Sequence, residues 1–187
     1  VLIRDTTSGS YRLFFFQNGL VVGSATLGLY TNLALEFAAA GDLDADGDAD
    51  VLVRHATAGS WRAFYLQGGA VVGTQSFAAA GLGWAFQGLA DYDADGDADL
   101  MLRDGVGNWR VFEVEAGAVI ADFSVGAWTN PLWEGQAADR DLDGDGDADL
   151  LVRNTDTGAW RTFTMENLAV VGNGNPLLWS NLDWALQ

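Results

Sequence analysis

The run Asp-Leu-Asp-Ala-Asp-Gly-Asp-Ala-Asp at 42–50 returns as Asp-Tyr-Asp-Ala-Asp-Gly-Asp-Ala-Asp at 91–99 and as Asp-Leu-Asp-Gly-Asp-Gly-Asp-Ala-Asp at 141–149, at spacings of 49 and 50 residues. A repeat of this length is one supersecondary unit that cannot bury its apolar face alone and must stack on copies of itself. The flanking sequence repeats in phase. Each acidic run leads into a short apolar segment ending in Arg: Val51 to Arg54, Leu100 to Arg103 and Leu150 to Arg153, with Val1 to Arg4 as a fourth copy. After a Gly-containing turn come Trp61-Arg62-Ala63-Phe64, Trp109-Arg110-Val111-Phe112, Trp160-Arg161-Thr162-Phe163 and, in the first copy, Tyr11-Arg12-Leu13-Phe14. A second turn precedes Val21-Val22-Gly23, Val71-Val72-Gly73, Val119-Ile120-Ala121 and Val170-Val171-Gly172, and Trp84 and Trp133 open a last apolar segment before the next acidic run.

Short runs rich in Val, Phe and Trp between Gly- and Asn-containing turns are strand and hairpin signals. Four such strands in a unit of about 50 residues form the pattern of a propeller blade. The expected fold is all-β: a single domain over 1–187, a β-propeller of four blades with four antiparallel strands each, from repeat units of about 1–41, 42–90, 91–140 and 141–187. Segments apolar on both faces, such as Phe14-Phe15-Phe16, suit blades packed face to face. In a closed ring of these units Val1 and Gln187 are expected to lie close together.

Position by position, the acidic run places carboxylates at loop positions 1, 3, 5 and 9, Gly at 6 for a sharp turn and a backbone carbonyl at 7. A hard cation taking six to eight oxygens at about 2.3–2.6 Å suits this spacing, and Ca²⁺ suits it better than Mg²⁺, which gives up its water shell reluctantly. The expected ligands are Asp42, Asp44, Asp46 and Asp50 in the first loop, Asp91, Asp93, Asp95 and Asp99 in the second, and Asp141, Asp143, Asp145 and Asp149 in the third. The carbonyls of Asp48, Asp97 and Asp147 complete each set, with their side chains expected in solvent. The loop is not an EF-hand: position 12, where a bidentate Glu belongs, holds Val53, Leu102 or Val152. Five carboxylates in nine residues repel one another strongly, about 4 kcal/mol for a pair 4 Å apart at an effective dielectric of 20, so three copies call for a cation.

At this point the sequence resembles the FG-GAP/VCBS-type repeat, related to integrin α-subunit propeller blades. The resemblance runs through Asp-Leu-Asp-Gly-Asp-Gly-Asp-Ala-Asp-Leu-Leu-Val-Arg-Asn-Thr-Asp-Thr-Gly-Ala-Trp at 141–160 and extends over nearly the whole chain in four copies. It implies a calcium-binding propeller, often of seven blades, serving adhesion or recognition or accompanying a secreted enzyme. Two features depart from that pattern: there are four units, and loop position 7 is Asp where the family commonly has Lys.

Composition narrows the function classes. Nine Arg, no Lys and 26 Asp plus Glu give a formal charge of -17, the wrong balance for displacing counterions from phosphate, so no nucleic-acid partner is expected. With no Cys, disulfides, thiolate catalysis and Cys-ligated metals are excluded. The stretch from Leu13 to Leu35 is uncharged and long enough to span a membrane, but Gln17, Asn18, Gly19, Gly23 and Asn32 break it, and no membrane span is expected. No G-x-S-x-G, H-E-x-x-H or Walker pattern is present, and no enzymatic activity is expected.

The expected role is a calcium-stabilised, extracellular or cell-surface structural or adhesive module, with copies of itself as a candidate partner in a tandem array or head-to-tail filament. The alternatives are a glycan-binding lectin module, with Trp61, Trp109 and Trp160 as stacking platforms, and an accessory domain of a secreted polysaccharide-active enzyme. Burial in the core is the expected fate of those Trp residues.

Overall fold

The computed structural model describes residues 1–27, 32–77, 81–125 and 130–176. Their strands form four antiparallel sheets. The first holds β1 (Leu2–Arg4), β2 (Tyr11–Gln17) and β3 (Leu20–Leu27); the second β4 (Leu35–Gly41), β5 (Asp50–His55), β6 (Trp61–Gln67) and β7 (Ala70–Phe77). The third holds β8 (Trp84–Ala90), β9 (Asp99–Asp104), β10 (Trp109–Glu115) and β11 (Ala118–Ser124); the fourth β12 (Trp133–Arg140), β13 (Asp149–Asn154), β14 (Trp160–Glu166) and β15 (Ala169–Gly174). Each sheet is a meander in chain order. Among the described residues no helix is long and apolar enough to cross a membrane. Leu13 to Leu35 contributes to three separate strands rather than one segment.

Two details differ from the expectation. The first sheet has three strands among the described residues, not four, because no strand ahead of Leu2 corresponds to β4, β8 and β12. The sheets are also offset from the repeat units by one strand: the acidic run is a tight connection between antiparallel neighbours, so β4, β8 and β12 pair with the strands that follow their acidic runs. Gln187 lies outside the described residues.

Alternation of side chains along each strand gives every sheet two apolar faces. Val51, Val53, Phe64 and Leu66 meet Tyr11, Leu27 and Leu35 in one core. Leu52, Trp61 and Ala63 meet Leu100, Leu102, Phe112 and Val114 in a second, and Met101, Trp109 and Val111 meet Leu150, Val152, Phe163 and Met165 in a third. The four sheets therefore stack face to face in sequence order, each core drawn from two neighbouring repeats. Leading strands pack on leading strands (β4 on β8, β8 on β12) and trailing strands on trailing strands (β3 on β7, β7 on β11).

The repeated Arg-aromatic pairs lock consecutive sheets. Arg4, Arg54, Arg103 and Arg153 stack on Tyr11, Trp61, Trp109 and Trp160 with the guanidinium carbon 5.1–5.4 Å from the ring centre. Arg4, Arg54 and Arg103 each reach forward to a turn carbonyl entering the next sheet, at Leu33, Gly81 and Asn130. A partly desolvated cation-π contact contributes on the order of 1 kcal/mol. Trp61, Trp109 and Trp160 are buried, as expected of core residues.

Candidate metal centre

Each acidic run forms the connection between the first and second strands of a sheet, and each folds the same way. Position 1 organises the turn: Asp42 accepts N–H bonds from Asp46 and Gly47, and Asp91 from Asp95 and Gly96, all within 3.2 Å. Asp141 accepts from Gly144 and Gly146. Position 4 sits in the left-handed region, at φ 52° for Ala45, 58° for Ala94 and 90° for Gly144, as does Gly at position 6. These turns bring positions 1, 3 and 9 together. In Asp42/Asp44/Asp50, Asp91/Asp93/Asp99 and Asp141/Asp143/Asp149, one oxygen from each carboxylate lies within 4.8 Å of the others.

Position 9 is the anchor. Asp50, Asp99 and Asp149 are buried at the start of their strands. One oxygen of each accepts the N–H of loop position 2, from Leu43 at 3.0 Å, Tyr92 at 3.2 Å and Leu142 at 2.7 Å. The other accepts at 2.8 Å an N–H from the neighbouring strand: Leu66, Val114 or Met165. Those three residues sit where the pairing of the third and fourth strands shifts register, between Tyr65 and Leu66, Glu113 and Val114, and Thr164 and Met165. The bulge frees an amide that a regular ladder would use and aims it at the carboxylate. Nothing in the apolar residue types at 66, 114 and 165 marks them as part of the site; only their recurrence at a fixed distance after the acidic run carries a signal.

The remaining expected ligands divide. The position-5 side chains, Asp46, Asp95 and Asp145, are not part of the three clusters; each accepts the N–H of position 7. At position 7 the expected solvent exposure is wrong for two of three residues. Asp97 and Asp147 are buried, and their Oδ2 atoms accept N–H bonds at 2.8 Å from Ala116 and Asn167 in the turn after the third strand. Asp48 is exposed but accepts the equivalent bond from Gly68 at 2.7 Å. A carboxylate spanning two turns immobilises the loop, which explains Asp at a position that could have been solvated.

Electrostatics mark these clusters as charged groups held without enough compensation. Burial pushes Asp99 up to about 8 against the pull of its two N–H donors, with Asp93 and Asp95 adding repulsion. Burial likewise raises Asp50 to about 6, helped by Asp44 and Asp46, and Asp93 to about 6, helped by Asp95, Asp91 and Glu113. Asp44 and Asp143 move up for the same first cause, burial. Asp44 Oδ1 and Asp93 Oδ1 are buried without a hydrogen-bond partner. A buried orphan oxygen beside two further carboxylates is costly alone and favourable with a cation beside it, so the donor set fits a metal that prefers oxygen. The three clusters can hold a metal ion.

Consecutive loops are joined. Ala98 N–H donates to Asp42 O at 2.7 Å, and Ala148 N–H donates to Asp91 O at 2.8 Å. His55, where the other units have Asp5, Asp104 and Asn154, does their work as a turn cap: its Nδ1 accepts the Ala58 N–H at 3.1 Å.

No family model matches the chain, and neither a curated protein nor a solved structure matches it.

Proposed function

We propose that this chain is a calcium-stabilised structural or adhesive module that works outside the cell, its four sheets arranged as blades of a β-propeller of the FG-GAP/VCBS type its acidic runs resemble. The observation that carries the reading is the threefold recurrence of one carboxylate triad, at positions 1, 3 and 9, on a loop whose position-9 carboxylate accepts the same two N–H bonds each time. The blade arrangement is supported by face-to-face stacking in sequence order with leading strands gathered along one side. Calcium fits an all-oxygen donor set on a turn that can adapt to seven or so ligands, whereas magnesium demands a tighter octahedron.

Sites of this kind in extracellular modules bind at about 10⁻⁴ to 10⁻³ M and fill only where calcium is millimolar, which supports the reading of a protein that works outside the cell. The module performs no catalysis; its clusters are structural. Repeats that bury their faces only against one another also suit a bead in an array or a head-to-tail filament.

Calorimetry in millimolar calcium tests the reading. Three sites are expected, each filled at ten times its Kd adding about 1.4 kcal/mol of stability, so three add about 4 kcal/mol, and chelation lowers the melting temperature accordingly. Absence of any calcium heat, with an unchanged melt in chelator, would sink it.

A further inference from the structure

Between the first two acidic loops stands a carboxylate that its own loop's cluster leaves out. Asp97, at position 7 of the second loop, is 6% exposed and is not part of the Asp91/Asp93/Asp99 triad. Its Oδ2 accepts the Ala116 N–H at 2.8 Å, while its Oδ1 is buried with no hydrogen-bond partner among the described residues. A carboxylate oxygen cut off from water is costly unless a donor or a cation meets it.

Both chain neighbours of Asp97 rest on the first loop. Ala98 donates its N–H to Asp42 O at 2.7 Å, and its Cβ lies 3.4 Å from where a Cβ on Gly41 would sit. On the other side, a Cβ on Gly96 would lie 3.7 Å from that of Ala45. Asp97 is therefore held between two contacts with residues 41–45, the start of the loop that carries Asp42, Asp44 and Asp50. The charges around it agree. Burial pushes the Asp97 carboxyl up, and besides Asp95 of its own loop the groups that add to the rise are Asp42 and Asp44. The Tyr65 hydroxyl, which donates to Gly117 O, is raised to about 12 by burial first and then by Asp50, Asp44 and Asp97, so carboxylates of both loops surround one phenol of the second sheet. In the first loop Asp44 Oδ1 is the matching atom, buried and without a partner.

We infer that Asp97 is a fourth carboxylate of the first loop's cation site, supplied from the neighbouring sheet, so that the ion ties the second and third sheets together; the inference rests on the calcium reading above. Asp97 stands outside the triad of Asp42, Asp44 and Asp50, whose oxygens lie within 4.8 Å of one another. The triad seats the ion, and Asp97 adds negative charge to it from across the sheet boundary. Loss of a group that supports a metal from just outside its ligands lowers affinity by about 10–100-fold.

The test follows calcium loop by loop. The amides of Gly47, Gly96 and Gly146 donate to Asp42, Asp91 and Asp141, so their NMR signals in the isotope-labelled full chain, titrated with calcium chloride, report the three loops separately. Asp97→Asn keeps an oxygen for the Ala116 N–H and removes the charge. The calcium concentration that half-saturates Gly47 is expected to rise about tenfold or more, that of Gly96 by less, with Gly146 unmoved. A Gly47 midpoint within about twofold of the unaltered chain, or a larger rise at Gly96 than at Gly47, overturns the inference. Asp147→Asn removes the same charge one loop further on and should leave Gly47 where it was; an equal rise there overturns the inference by showing a general loss of charge. A measurement with Asp97 intact covers the case in which Asp97→Asn does not fold. Asp44→Ala disables the first site, and the calcium-driven shift of the Asp97 carboxyl carbon should then vanish at concentrations that fill the second loop, read at Gly96; a shift that persists in full overturns the inference. A Gly47 signal that calcium never moves in the unaltered chain overturns the calcium reading and the inference with it. A Gly47 signal that titrates alike with and without the Asp97 charge overturns the inference alone.

Discussion

Without a bound cation this fold should weaken as pH rises, the reverse of ordinary acid denaturation. The carboxyl of Asp99 is the clearest case: 0% exposed and pushed from the ordinary 3.8 to about 8. Its folded-state pKa lies above the unfolded one, so the folded chain holds more protons between them. The associated stability is fully present below about pH 4 and is lost as pH climbs through 8. At about 1.4 kcal/mol per pH decade, charging Asp99 by pH 8 removes on the order of 5 kcal/mol. Asp50 and Asp93, at about 6, act in the same direction over pH 4–6. Because Asp93 and Asp99 share one cluster, their effects overlap and do not sum.

For a domain of this size 1 kcal/mol moves the melting temperature by about 2–4 °C, so the metal-free protein should melt roughly 10 °C lower at pH 8 than at pH 5. Asp5 and Asp104, which neighbouring turn groups hold below the usual range, lose their contribution only as pH falls below about 4 and leave this window untouched. Calcium binds the deprotonated carboxylates, so saturating calcium should flatten or reverse the slope, and calcium binding near pH 7 should release protons, visible as a dependence of the calorimetric heat on buffer ionisation enthalpy. Calorimetric melts in chelator and in millimolar calcium between pH 5 and 8 decide it. A metal-free melting temperature that is flat or rises across that range would refute the reasoning, as would a calcium-loaded protein that loses stability just as steeply.

Three further outcomes follow from the loops. Asp50→Ala leaves the buried N–H groups of Leu43 and Leu66 without their acceptor, so urea titration at pH 5 without calcium should show a loss of about 2–5 kcal/mol, and calorimetry should count one calcium site fewer. Ala45→Gly together with Ala94→Gly relieves two non-glycine residues held at φ 52° and 58° and should raise stability by about 0.5–1 kcal/mol per site, read as a higher melting temperature with calcium stoichiometry unchanged. Gly59→Ala puts a Cβ 2.7 Å from the backbone N of Leu82 at φ +71°, while Gly47→Ala at φ +90° meets nothing within 4 Å; the first should cost well over 2 kcal/mol and the second about 1 kcal/mol, compared by urea titration.

Periodicity made most of the fold legible. An acidic run at spacings of 49 and 50 residues, followed in phase by Val-Leu-Val-Arg and Trp-Arg-Ala-Phe types of segment, determines an all-β chain of stacked four-strand units and assigns Trp61, Trp109 and Trp160 to the core. The residues of the three carboxylate clusters were in plain view within the acidic runs, because a carboxylate at every second position of a glycine turn has few uses but a cation. What the sequence left open was where each carboxylate points. Asp46 and Asp48 differ in nothing local from Asp44, yet only Asp44 joins the cluster with Asp42 and Asp50. That choice depends on groups distant along the chain: the bulge amide of Leu66 that seats Asp50, and the turn amide of Gly68 that draws Asp48 away. Burial of Asp97 and Asp147 is likewise decided by the turns at Ala116 and Asn167, about twenty residues on. The exposure of Val1, Ile3 and Phe16 is a tertiary fact of the same kind. Val1, Ile3 and Phe16 have the residue types of core positions, and whether they are core depends on which sheet lies against them, which a local pattern does not encode.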